Sequence, residues 1–123
     1  VQQPFAEQVV IPSGNGALAG MLYRPAGSPA AAVLLCDPLF EERKSAQRVF
    51  VDLACELARA GVAVLRFDYR GCGDSSGEFA EFAPTDWGAD VQAAWACLRS
   101  CAGGAPTGLL GLRLGASVAP LPR

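Results

Sequence analysis

Hydrophobic and polar positions recur with different periods along the chain, and each period predicts an element. Ala31–Cys36 and Val62–Phe67 are nearly continuous apolar runs of strand length, and residues 107–112 form a third. Such runs are typical of strands that are covered on both faces by helices. We therefore expect three buried strands that belong to one parallel sheet.

Apolar residues at helical spacing lie between these strands. In the first predicted helix one apolar face contains Phe50, Leu53, Leu57 and Ala58. Ser45 is the expected N-cap of this helix, and Gly61 lies where a left-handed C-terminal cap belongs. A second helix is predicted over residues 85–101, and its apolar face contains Trp87, Val91, Ala94, Trp95 and Leu98. Asp86 and Asp90 fall in its first turns, where the helix dipole favours negative charge.

The amino-terminal part has the pattern of a β-hairpin. Residues 8–12 alternate weakly and residues 18–24 form the return strand, with Ser13-Gly14-Asn15-Gly16 between them. Glycine and asparagine suit a tight hairpin turn because they accept positive φ angles. The predicted fold class is therefore α/β, a single domain over residues 1–123 with a mostly parallel sheet, helices on both faces and an amino-terminal antiparallel hairpin.

The third strand runs directly into a glycine-flanked turn. Residues 109–117 read LLGLRLGAS, which predicts a strand, a sharp turn and the start of a helix. Gly111 and Gly115 have the G-x-Nuc-x-G spacing of a nucleophile elbow, in which the middle side chain projects beyond the sheet. That middle residue is Arg113, whose guanidinium stays protonated and cannot attack. The pattern predicts an acyl-transfer scaffold without its attacking atom.

Composition and charge exclude several classes of function. The 123 residues fit one domain, and 51% apolar with 18% charged residues is typical of a globular chain. A net charge of −2 gives no basic footprint for nucleic acid. The apolar runs fall far short of the ~20 residues of a membrane-spanning helix, and the amino end lacks a secretory signal. We expect a cytoplasmic protein with neither a nucleic-acid partner nor a membrane span.

The cysteines give no sign of a metal or cofactor. The chain has five of them, an odd number without a C-x-x-C pair, and it has no histidine. We interpret them as reduced, mostly buried small residues, and the spacing of four between Cys97 and Cys101 as chance. Gly71-x-Gly73 lacks the third glycine that a dinucleotide-binding motif needs, so we interpret it as a tight turn with Asp68 and Arg70 pairing locally.

Several of these stretches together resemble the α/β-hydrolase superfamily. The resemblance rests on Ala31–Cys36, residues 66–75, the helix that contains Trp87, and Gly111-x-Arg113-x-Gly115. Their order and spacing resemble the amino-terminal half of that fold, from its first strand to its elbow. More narrowly, residues 40–45, 68–77 and 111–116 resemble the second of two hydrolase-like types that are associated with exosortase systems.

The superfamily resemblance implies a hydrolase of esters, thioesters or amides that uses a nucleophile, a histidine and an acid. Arg113 occupies the nucleophile position, and the Leu114 N–H would be one oxyanion donor. Because Pro38 has no N–H, Leu39 or Phe40 would supply the second. The chain begins without Met and stops where the helix after the elbow should continue. We expect a truncated domain whose acid and histidine follow residue 123, and this chain alone to be inactive.

Alternatives remain for both the nucleophile and the function. Ser117 is the nearest hydroxyl, but helical geometry turns it away from the elbow, and Cys36 ends the neighbouring strand without a base to ionise it. The second function is a non-catalytic scaffold in which Arg113 binds an anionic or acyl small molecule. In a third interpretation Arg113 pairs with Asp37 and closes the pocket. The exosortase resemblance implies a Gram-negative setting with exopolysaccharide production.

Overall fold

The structure is a computed structural model that describes residues 5–14, 16–36, 42–69 and 84–111. In this part of the chain strands and helices follow in the order β1 Phe5–Ser13, β2 Gly16–Arg24, β3 Ala31–Cys36, α1 Glu42–Arg59, β4 Val62–Phe67, α2 Pro84–Ala102 and β5 Thr107–Gly111. No helix among these residues is long and apolar enough to cross a membrane.

The strands form one sheet in the order β1-β2-β4-β3-β5. β1 and β2 form the predicted antiparallel hairpin, which is closed by the pair Ser13 and Gly16, and Gly14 in its turn has a φ of +57°. β2 is antiparallel to β4, whereas β3 is parallel to both β4 and β5. All strands except β2 therefore point the same way, which confirms the mostly parallel sheet.

The two helices cover opposite faces of the sheet. Side chains alternate between the faces of a strand, so Leu34 packs on the side of α2 and Leu35 on the side of α1. On the α2 face the fully buried helix residues are Val91, Ala94 and Leu98. On the α1 face the buried helix residues are Phe50, Ala54 and Ala58. The described residues of both predicted apolar helix faces are thus buried or partly buried against the sheet, which confirms helices on both faces.

Element bounds agree best where the sequence is apolar. β3 and β4 have the predicted bounds, and Gly61 ends α1 with a φ of +92°. The predicted N-cap is wrong because α1 begins at Glu42, so that Ser45 lies inside the helix. The charged residues before Ser45 are good helix formers and extend the helix toward the amino end.

Candidate functional site

The carboxyl ends of the three parallel strands lie side by side. Cys36, the last residue of β3, is paired with Phe67 at the end of β4 and with Gly111 at the end of β5. The chain therefore leaves all three strands at one edge of the sheet, which we call the carboxyl edge. Ligands of open α/β sheets bind outside the carboxyl ends of the strands, so this edge is the candidate site.

Most residues that the sequence assigns to the elbow fall outside the described part of the chain. Gly111 is the last described residue and ends β5 at the carboxyl edge. The proposed elbow and oxyanion-hole residues lie outside the described residues: Arg113, Leu114, Gly115, Ser117, Leu39 and Phe40. The structure adds the location of the strand that precedes the predicted elbow: β5 lies next to β3, as the superfamily resemblance implies.

Cys36 lies at the carboxyl edge, but its side chain faces the core. It is fully buried and belongs to the cluster on the α2 face together with Phe67. Apolar side chains of that cluster pack around it and leave it no exposed surface. As an alternative nucleophile, Cys36 therefore has the correct position along its strand and an inaccessible sulfur.

Two aromatic side chains pack against each other at the end of β4. The rings of Phe67 and Tyr69 meet edge to face, with centroids 5.0 Å apart and planes at 70°. This is a favoured geometry for aromatic pairs. The backbone N–H of Asp68, between them, donates to the carbonyl of Ala19 over 2.9 Å. The exit of the chain from β4 is thereby fixed against β2.

A buried hydrogen bond joins the β1–β2 hairpin to α2, beyond the carboxyl edge of the sheet. Val9 is paired with Gly20, which is paired with Phe67 at the carboxyl edge. Ser13 therefore lies four residues, or about 13 Å, beyond that edge along β1. Its hydroxyl donates to Oδ1 of Asp90 over 2.6 Å, and both side chains are buried. The sequence placed Asp90 near the helix start and gave no sign of this bond.

A cavity of about 430 Å³ adjoins the carboxyl edge along β1, β2 and β4. Its polar lining comes from Gln8, Arg66 and Asp68, and its apolar lining includes Val10 and Met21. Arg66 is almost fully buried despite its charge. The volume falls within the range of small-molecule sites. Of the polar lining residues, only Asp68 was named individually in the sequence analysis. Gln8 and Arg66 are single polar residues within strands, and no local sequence pattern marks such a position as part of a site.

The search for a metal site covers only the described part of the chain. Within the described ranges no group of three or more His, Cys, Asp or Glu side chains could hold a metal ion. The expected absence of a metal or cofactor stays a prediction for the whole chain.

No family model and no curated protein matches the chain. Solved structures do match it. A lidless α/β serine hydrolase from Xanthomonas campestris is 22% identical with a TM-score of 0.76, and the match covers 96% of this chain and 54% of that one. A Coxiella burnetii α/β serine hydrolase homologue is 24% identical with a TM-score of 0.74, over 96% and 56% of the two chains.

A Pyrococcus furiosus esterase gives a third match, with 21% identity, a TM-score of 0.74 and coverage of 94% of this chain and 43% of the esterase. The chain thus spans about half the length of the solved structures that it matches. Identities of this size establish a fold and leave activity open. From the strand order, the helix on each face and these matches along nearly the whole chain, we conclude that the protein has the α/β-hydrolase fold.

Proposed function

We propose that the chain is part of an α/β-hydrolase-like protein, by ancestry a hydrolase of esters, thioesters or amides, with its site at the carboxyl edge. The observation that carries this proposal is the alignment of Phe67, Cys36 and Gly111 at one edge. The G-x-R-x-G sequence starts at Gly111 itself. The three matched structures are described as serine hydrolases or as an esterase, which supports the same class.

Arg113 in the elbow position determines what this site can do. An always-protonated guanidinium cannot act as nucleophile or base. The Leu114 N–H, with that of Leu39 or Phe40, would still form an oxyanion hole. Hydrolysis would then need another attacking group, and Cys36 could serve only after its buried sulfur became accessible. We expect the 123-residue chain to lack ester hydrolase activity.

A second candidate is a binding protein with the same fold. The residue type carries this alternative: Arg113 follows the strand end at Gly111 by two positions, where the fold has its nucleophile. A guanidinium there matches the planar geometry of a carboxylate or phosphate. The ligand would be an anionic or acyl small molecule.

Substitution of position 113 tests both candidates. Arg113→Ser restores a hydroxyl at the elbow, so we expect fluorophosphonate labelling that mass spectrometry maps to position 113, with or without ester turnover. Arg99→Ser changes an exposed arginine in the last turn of α2 and should produce no labelling. A folded Arg113→Ser protein without any labelling would count against the elbow. Cys36→Ala reports separately whether any activity of the unmodified protein depends on the thiol.

Calorimetry distinguishes the binding protein from the decayed hydrolase. If Arg113 holds an anion, titration with acyl carboxylates or organic phosphates gives heat of binding, which Arg113→Ala removes and Arg99→Ala leaves unchanged. Equal binding by the Arg113→Ala protein would end the anion proposal.

The narrower resemblance supports a further proposal, that the protein works beside an exosortase system. Deletion of its gene should then alter exopolysaccharide or surface-protein sorting in the Gram-negative host.

A further inference from the structure

The cavity beside the carboxyl edge has a floor that three neighbouring strands build. Gln8 of β1 is paired with Met21 of β2, which is paired with Arg66 of β4. Residues directly opposite each other in a sheet have their side chains on the same face. Met21 packs in the cluster on the α1 face, so this row of three belongs to that face. All three residues line the cavity.

A second row of lining residues lies two positions further along β4. Val10 is paired with Ala19, and the N–H of Asp68 donates to the Ala19 carbonyl over 2.9 Å. These three residues also line the cavity. Neighbouring strands are about 4.8 Å apart and residues two apart on a strand about 7 Å, so the floor measures roughly 7 Å by 10 Å. The small side chain of Ala19 in the middle of this row leaves space above the floor.

The floor carries one charge of each sign at its β4 end. Arg66 is 9% exposed, and a charge buried that deeply needs groups of opposite charge or hydrogen-bonding groups around it. Asp68 is partly buried and lines the same cavity. An anion at this end would be repelled by Asp68, and a cation would be repelled by Arg66. Charge complementarity therefore favours a ligand that carries both charges close together.

The β1 end of the floor is apolar and open to solvent. Val10 is 77% exposed, and Met21 beside it is partly buried. An apolar group that covered these two side chains would remove their surface from water, which favours association. The cavity volume of about 430 Å³ leaves room for such a group together with a charged end.

We propose that this cavity binds an α-amino acid with an apolar side chain. The ligand carboxylate lies at Arg66, with a further hydrogen bond from the Gln8 amide, and the ammonium group lies at Asp68. Both ligand charges are attached to one carbon, so charge-assisted hydrogen bonds of about 2.7–2.9 Å can reach both residues at once. The ligand side chain lies over Ala19 toward Val10.

This site is separate from the proposed hydrolase site. β3 lies between β4 and β5, so the strand that precedes the predicted elbow is about 10 Å from β4. The lining residues belong to β1, β2 and the end of β4. Binding of an amino acid is non-covalent and needs no elbow residue, so either proposal can fail without the other.

Calorimetry with L-leucine and two analogues tests the two charges. We expect one L-leucine to bind per chain. Isocaproate has the same carbon skeleton without the ammonium group, and L-leucinamide lacks the carboxylate. Each analogue should bind at least about 10-fold more weakly, because a charge-assisted hydrogen bond is lost. Absence of L-leucine binding, or equal binding of either analogue, would overturn the proposal.

Variants with matched controls test the location. Asp68→Asn should weaken L-leucine binding by about 10–100-fold, whereas Asp52→Asn changes an exposed residue of α1 and should not. Ala19→Leu should prevent binding, because it fills the space above the floor without changing a charge. Ala17→Leu is the control, since Ala17 lies on the same face of β2 and does not line the cavity. Unchanged binding by a folded Asp68→Asn or Ala19→Leu protein would contradict this location.

A measurement on the unmodified protein does not depend on the folding of any variant. Met21 is the single methionine of the sequence and lies in the cavity floor. With isotope-labelled methionine, its methyl group gives one NMR signal from inside the cavity. L-Leucine should shift this signal with the Kd that calorimetry gives. A signal that does not move as L-leucine is added would overturn the proposal.

Discussion

Ser13 and Asp90 form a buried hydrogen bond of 2.6 Å that joins the tip of the β1–β2 hairpin to helix α2. The two residues are separated by 77 positions in the sequence. Asp90 is fully buried and Ser13 is 5% exposed, so water does not replace the bond when it is lost. The bond fixes the tip of the hairpin to α2, beyond the carboxyl edge.

Removal of this bond should destabilise the fold. Ser13→Ala deprives a buried carboxylate of a donor, and we expect the free energy of unfolding to fall by about 1–3 kcal/mol in urea titrations. Ser100→Ala is the matched control because that hydroxyl is exposed and donates only to the Ala96 carbonyl one turn earlier. Its effect should stay within about 0.5 kcal/mol. Equal losses in the two variants would show that the buried bond adds nothing.

Gly20 lies in β2 opposite Phe67, the last residue of β4, and a side chain there would be too close to its neighbours. A Cβ there would lie 3.0 Å from Cγ2 of Val9 and 3.1 Å from the backbone oxygen of Arg66. The oxygen belongs to a paired strand and cannot move without displacing the end of β4. We therefore expect Gly20→Ala to cost about 1–3 kcal/mol of unfolding free energy.

Gly108 provides the comparison for Gly20. It also lies in a strand, β5, but a Cβ there would meet nothing within 4 Å. Gly108→Ala should be neutral or stabilise by about 0.4–1 kcal/mol, since it restricts the unfolded chain. Thermal melts of both variants give the difference directly. If Gly108→Ala lost as much stability as Gly20→Ala, the loss in Gly20→Ala could not be attributed to the close approach of β2 to β4.

Cys36 should resist alkylation in the folded protein. Its side chain has no exposed surface, whereas that of Cys55 on α1 is partly exposed. Iodoacetamide can reach a buried sulfur only through an opening of the structure, and each 1.4 kcal/mol of opening free energy slows the reaction about tenfold. Timed labelling with peptide mapping should show Cys36 reacting at least about tenfold more slowly than Cys55. The difference should vanish in urea, and equal native rates would contradict the burial of Cys36.

The fold could be predicted where short stretches of sequence determine it. β3 and β4 are apolar runs that begin just after Pro29 and Gly61, respectively, so the start of each strand was clear from the sequence. The start of α1 was not clear from the sequence, because its first residues are polar and show no apolar periodicity. Ser45 is a residue type that commonly caps helices, and it was therefore predicted as the N-cap. The position of β4 between β2 and β3 depends on pairing over long distances, which no local pattern records.

The candidate site was predictable in the same uneven way. The order of strand, glycine, arginine and glycine predicts an elbow from residue spacing alone, and the structure describes the strand and the first of these glycines, Gly111. The partner of Asp90 could not be found this way, since Ser13 belongs to a distant hairpin. Asp90 also has an adequate local explanation, as a negative charge near a helix start.

The thiol of Cys97 should make stability depend on pH in the alkaline range. Burial is the main cause that raises the pKa of Cys97, and the neighbouring Cys101 raises it further. The folded protein therefore holds this proton more tightly than the unfolded chain does. The contribution to stability is complete below the thiol pKa of the unfolded chain, about 8.5, and is lost as pH rises through the higher folded value.

We accordingly expect the unfolding free energy of the reduced protein to fall as pH rises from about 8.5, the thiol pKa of the unfolded chain, through the higher pKa of Cys97 in the folded protein. Cys97→Ser has no group that titrates there, so its loss over the same range should be smaller, whereas Cys55→Ser should retain the loss seen in the unmodified protein. Urea titrations at closely spaced pH values measure all three. If Cys97→Ser lost as much stability as the unmodified protein, the alkaline dependence would come from other groups.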